Sequence, residues 1–242
     1  MGNLFIIATP IGNLKDITLR AVETLFSLDL LLCEDTRKTK RLLDFYKENL
    51  KLLPNNEWLN INFNSLPQLL SFFEENEAYR LPYVLAALSQ NQNVGLVSNA
   101  GTPGISDPGF SLVSYCIKNN IPVITIPGSS AVISGLSISG FSADKFTFLG
   151  FLPKKSGKQV QIWTKLFNSS LDQTIIFYES PFSIKKTLST LQTVFGDIEV
   201  GIARELTKIH ENFCLLPISQ WLSKLNTPLK GELVVMFRMQ KS

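Results

Sequence analysis

Three short segments gather residue types that bind polar ligands. NAGTPGISDPG at residues 99–109 holds three glycines and two prolines in eleven residues. Glycine permits positive φ and close approach of backbone to a ligand, so the loop is read as ligand-binding rather than as a merely tight connection. PGSSA at 127–131 offers hydroxyls and backbone N–H groups where a helix begins, a setting that suits a polar or anionic group as well as an ordinary cap. EDTRKTKR at 34–41 sets two carboxylates before Arg37, Lys38, Lys40 and Arg41. On a helix Arg37 and Arg41 share a face, giving a positive patch that is either open to phosphate or simply solvated. PKKSGK at 153–158 adds a second basic loop.

What is missing narrows the chemistry. No GxGxxG, GxxxxGK[ST] or GxSxG occurs, so the usual dinucleotide, P-loop and hydrolase signatures are absent. His210 is the single histidine and is read as a local packing or hydrogen-bonding residue. Cys33, Cys116 and Cys214 are odd in number and widely spaced, which fits reduced thiols in a cytoplasmic setting and leaves no metal site expected. The opening MGNLFIIATPIGN has neither the basic nor the apolar region of a secretory signal. No apolar run approaches the roughly 18 residues of a membrane span, and Ile6 replaces the Ser or Thr that would favour myristoylation. A cytoplasmic protein without a membrane partner is expected. Lys and Arg total 23 against 20 Asp and Glu, a net charge of +3, too small for its field alone to imply nucleic acid.

These segments need elements to hold them. At 242 residues, 45% of them hydrophobic, the chain can bury one large or two small cores. Apolar runs at 4–8, 30–33, 94–98 and 122–126 read as strands, each followed by a polar loop and then helical spacing. Asp107-Pro108 reads as the cap and first position of the helix after 109, and Ser129 or Ser130 as the next cap. Residues 51–80 carry a weaker pattern, Asn-rich at 55–64, and read as an excursion before a helix at 81–88. Strands alternating with helices imply a mainly parallel α/β sheet, whose ligands bind at the strands' carboxyl ends. The loops at 99–109 and 127–131 are expected to leave adjacent strands. After Gly140 the order changes: FTFLGF, a helix, TIIFYE, a helix opened by Ser180-Pro181 and closed near Gly196, VGIA and KGELVVMF. This gives a second α/β domain with a mixed sheet, the domains being 1–128 and 129–242 with the boundary falling within 118–142.

At this level of detail the chain resembles the ribosomal RNA small subunit methyltransferase I family of the tetrapyrrole-methylase-like class. The resemblance is carried by ATPIGNLKDITLRA (8–21), CEDTRKTKRLL (33–43), LVSNAGTPGISDPG (96–109), IPGSSAVISGLSISG (126–140), FLGFLPKKSGK (148–158), FYESP (177–181), ARELTKIHE (203–211) and KGELVV (230–235). These run in family order and leave only about 45–92 poorly matched.

The resemblance implies a tetrapyrrole methylase fold, S-adenosylmethionine bound in a cleft between two domains, and a homodimer. It implies methyl transfer to the 2′-hydroxyl of a decoding-centre cytidine in small-subunit ribosomal RNA, free or in the 30S subunit. By motif position the donor contacts are Pro10, Asn99, Ala100, Gly101, Thr102, Ser129, Ser130, Phe177, Tyr178 and Gly231. A ribose hydroxyl is a poor nucleophile and needs a proton acceptor, for which Glu34, Asp35, Glu179, Glu205 and Lys208 are the candidates. Arg37, Lys38, Lys154, Lys155 and Arg204 are assigned to RNA phosphates. Two features depart from the family: Asn99 stands where Asp is usual, and many members continue beyond the KGE strand. A weakened member that binds RNA or ribosomes, or a methylase of a tetrapyrrole or other small molecule, is the alternative.

Overall fold

The computed structural model describes residues 1–51, 61, 63, 65–169, 171–225 and 229–239. The Asn-rich run noted at 55–64 lies almost wholly outside them. The chain divides into two compact units, Met1–Ser130 and Ala131–Ser242.

In the first unit, β1 (Leu4–Ile7), β2 (Leu30–Cys33), β3 (Gln68–Ser71), β4 (Val94–Val97) and β5 (Val123–Ile126) form one parallel sheet in the order β3-β2-β4-β1-β5. Alternation along β2 explains the two cores. Leu30 and Leu32 face α3 (Glu77–Ser89) and α4 (Phe110–Lys118), while Leu31 and Cys33 face α1 (Leu19–Ser27) and α2 (Thr36–Lys51). Thr18 caps α1 by accepting from the Ala21 N–H at 3.1 Å. Asp35 stands before α2 and accepts from the Arg37 N–H at 2.9 Å. The connection after β1 crosses one face of the sheet and that after β4 crosses the other, so the neighbours β1 and β4 bracket the topological switch point.

Three expectations are corrected. The excursion at 51–80 contains β3, which extends the sheet beside β2. Asp107 does not cap α4; Gly109, at φ +121°, holds that position, and no side chain caps the helix. The loops at 99–109 and 127–131 do not leave adjacent strands, because the β4-to-β5 crossover passes over β1 and leaves it between them.

In the second unit, β6 (Phe146–Phe151), β7 (Gln173–Glu179), β8 (Glu199–Arg204), β9 (Asn212–Pro217) and β10 (Leu233–Met239) form a mixed sheet, order β6-β7-β10-β8-β9. Only β6 and β7 run parallel; the other three pairs are antiparallel. Trp163, Phe177, Leu188, Ile218 and Phe237 form a core beneath α6 (Ser156–Asn168), α7 (Ile184–Phe195) and α8 (Ile218–Lys224). On the sheet's other face, α5 (Ala131–Ser137) presses Gly135 onto β10, where a Cβ would stand 3.1 Å from Met236 and 3.3 Å from Val234. The strand β9 was not legible as an element in sequence.

Candidate active site

The loops after β1, β4 and β5 are fastened to one another at the carboxyl edge of the first sheet. Thr9 and Gly101 exchange two backbone hydrogen bonds, N–H to O at 2.9 and 3.0 Å, across the switch point. Gly101 adopts φ +86°, which favours glycine. The Thr102 hydroxyl donates to the Ser129 carbonyl at 3.0 Å, and the Ser129 hydroxyl donates to the Asp16 carbonyl at 3.4 Å. Pro10 and Gly101 are buried within this fastening, Thr102, Ser129 and Ser130 are half-buried, and Asn99 and Ala100 are exposed. Of the donor-binding residues that the resemblance implies, Gly101, Thr102 and Ser129 thus make the bonds of one platform, with Pro10, Asn99, Ala100 and Ser130 beside them in the chain.

An acidic pair adjoins it. Glu34, at the end of β2, accepts the Asn99 N–H at 2.8 Å. Asp107 lies close enough for the charge of Glu34 and the Ser98 side chain to act on its carboxyl. Burial, then the repulsion from Glu34, pushes the Asp107 carboxyl up to about 6, with Ser98 opposing the rise. Sequence reading spent Asp107 on a cap. Its signal was available in the loop's unusual length, which a cap alone does not explain.

The other acid–base candidates have structural duties. Asp35 accepts from Arg37 Nε and Nη2, each at 3.2 Å, and these bonds hold its carboxyl below the ordinary range. Glu179 is buried at the end of β7. Its Oε1 accepts from the Ser180 N–H at 2.7 Å and the Ser183 hydroxyl at 2.6 Å, and its Oε2 accepts from Thr187. Glu205 accepts the Glu232 N–H at 2.9 Å and Lys208 Nζ at 3.0 Å, bonds that lower its pKa. Lys208 also donates to Glu232 at 2.8 Å; burial opposes its charge, but the two carboxylates raise its pKa on balance. Gly231, at φ +94°, sits over this clasp, where a Cβ would come within 2.4 Å of the Glu205 carboxyl. Of the five candidates, Glu34 alone adjoins the platform.

In the second unit Phe177 is wholly buried against Trp163 at 5.6 Å, whereas half-buried Tyr178 meets Phe148 at 4.9 Å and Phe151 at 5.2 Å. Lys38, Lys154 and Lys155 are exposed. Arg37 is paired with Asp35, and Arg204 donates to the Lys230 carbonyl at 3.4 Å. Among the described residues no group of three His, Cys, Asp or Glu side chains could hold a metal ion, and no helix is long and apolar enough to cross a membrane.

The chain falls in the class of tetrapyrrole (corrin/porphyrin) methylases, the family that matches residues 3–220. The chain is 41% identical over 237 residues to ribosomal RNA small subunit methyltransferase I of Thermotoga maritima, covering 97% of each. To the protein of that name from Synechocystis it is 44% identical, over 88% of this chain and 70% of that one. The uroporphyrin-III C-methyltransferase of Thermus thermophilus, solved with S-adenyl homocysteine, shares the fold at 12% identity and TM-score 0.63, over 97% of both chains. The chain belongs to the ribosomal RNA small subunit methyltransferase I family.

Proposed function

We propose that the chain transfers the sulfonium methyl of S-adenosylmethionine to the 2′-hydroxyl of a decoding-centre cytidine in small-subunit ribosomal RNA, as a cytoplasmic homodimer acting on free RNA or the 30S subunit. The observation that carries this reading is the 41% identity to the Thermotoga relative over 97% of both chains.

The residues present fit the donor. Its amino-acid and ribose groups need hydrogen-bonding partners and backbone at close range. The platform supplies both: at Gly128 a Cβ would already stand 3.0 Å from Ala8, so a larger residue would wedge the β5 loop away from β1. Asp16 Oδ2 is buried without a protein partner, an acceptor suited to a bound ammonium or hydroxyl. When bound, the donor supplies an electrophilic methyl on a positively charged sulfur. Pro10, Asn99, Ala100, Gly101, Thr102, Ser129 and Ser130 would hold it on the platform of the first unit. Such positioning is worth up to roughly 7–11 kcal/mol in a displacement that needs three atoms in line.

Glu34 is the residue we assign to the hydroxyl proton. Its Oε1 is oriented by the Asn99 N–H. Arg37, Lys38, Lys154, Lys155 and Arg204 contact phosphates, which position RNA without reading its sequence.

Asn99 favours one other reading, a member that binds RNA or ribosomes with little catalysis, because an amide in place of carboxylate removes a charge from the donor platform. Calorimetry of S-adenosylmethionine with the wild type and Asn99→Asp separates the two. Micromolar or tighter binding by the wild type is expected; binding only by Asn99→Asp would favour the second reading.

A further inference from the structure

We propose that Phe182 is a stacking platform for an unpaired base of the RNA substrate, with Lys154, Lys155 and Lys186 holding the phosphates on either side. The proposal deepens the RNA reading above and rests on it.

Phe182 is 95% exposed, yet it does not sit on a loose loop. The turn that presents it is clamped by Glu179, whose carboxylate binds the Ser180 N–H before it and the Ser183 hydroxyl after it. The Phe182 N–H itself donates to the Ser180 hydroxyl at 3.2 Å, and the Ile184 N–H closes the turn on the Ser180 carbonyl at 3.0 Å. A buried carboxylate is costly unless its partners are good, and here three donors serve to fix one turn. The backbone that carries the ring is therefore held, and the ring stands in water upon it. A fixed, projecting aromatic loses little further entropy when a base stacks on it.

The charge around the ring selects the partner. The strands β6 and β7 are parallel neighbours, so the loops that follow them leave the same edge of the sheet. Residues 152–158 and 180–186 contain five lysines and no acid. Lys186 Nζ donates to the Lys154 carbonyl at 2.8 Å, tying the basic loop to the first turn of α7. An exposed aromatic ring on a turn tied to a loop that carries the exposed Lys154 and Lys155 offers a stacking face and cationic groups together. It suits single-stranded RNA, which offers π-faces for aromatic rings and phosphates for lysines.

The experiment is fluorescence anisotropy of the full chain with a labelled unstructured oligoribonucleotide at two salt concentrations, alongside methyl transfer to small-subunit RNA. Phe182→Ala is expected to weaken RNA binding by roughly 5- to 100-fold, the range that loss of one base–aromatic stack gives. Phe182→Trp should restore it, with the melting temperature and donor affinity unchanged in both. Lys154→Gln with Lys155→Gln should flatten the salt dependence. Equal affinity of Phe182→Ala and wild type overturns the proposal, as does an absence of RNA binding by the wild type. So does a shift from dimer to monomer in Phe182→Ala by sedimentation with RNA affinity retained, which would assign the ring to a second copy of this chain. Methyl transfer with an unchanged KM in Phe182→Ala sinks this inference and leaves the proposed function standing. RNA binding that depends on Phe182 without any methyl transfer does the reverse.

Discussion

Glu34 and Asp107 carry different duties that one substitution each can separate. If Glu34 takes the hydroxyl proton, Glu34→Gln should lower kcat by roughly 10²- to 10⁴-fold while leaving donor affinity within a few-fold, since the amide oxygen still accepts the Asn99 N–H. Steady-state kinetics with a titrated donor reads both, and an unchanged kcat would remove Glu34 from the chemistry. Asp107 is instead visible in stability. Its carboxyl titrates near 6 in the folded chain and near 3.9 when unfolded, so between those values the folded state binds more protons and stability falls as pH rises. Above pH 6 the full penalty is present; below about 4 it is gone. Asp107→Asn should therefore stabilise the chain at pH 8, by about 1 kcal/mol once solvent screening is allowed for, and do nothing at pH 4. Urea melts at the two pH values test this, and an equal gain at both would mean that the charge is not the cause.

At the scale of elements, the platform depends on contacts that no single segment displays. Thr102→Val keeps the side chain's shape but loses the bond to the Ser129 carbonyl. About 1 kcal/mol of stability is at stake, a loss of about 2–4 °C in melting temperature, and donor affinity should fall alongside it. Calorimetry and a melting curve check it; unaltered affinity would show that the β4 and β5 loops need no fastening. Much of the fold was legible because its strands are short apolar runs ended by breakers: residues 4–7, 30–33, 94–97 and 123–126 all pair in the first sheet. The strand β3 was not legible, since it is an edge strand whose QLLS carries only a half-buried pattern. The strand β9 is half-buried in the same way, and neither QLLS nor NFCLLP shows the strict apolar–polar alternation that marks a half-buried strand. In the site, glycine and hydroxyl content announced the loops, but the commitments of Glu179 and Glu205 are tertiary. Both looked like free acids until Ser183, Thr187, Lys208 and Glu232 were seen around them.

For the whole molecule, the near-neutral charge of +3 conceals local concentration. Seven basic residues lie in the two segments 34–41 and 153–158, and RNA affinity draws on such clusters rather than on the net value. The chain covers 97% of the Thermotoga protein but 70% of the Synechocystis one. The most direct test of the proposed function is nucleoside mass spectrometry of small-subunit RNA and 30S particles lacking the modification, incubated with the purified chain and S-adenosylmethionine. One added 2′-O-methylcytidine per RNA is expected, lost in Glu34→Gln. Donor binding without any new ribose methyl, or a methyl appearing on a base instead, would contradict it.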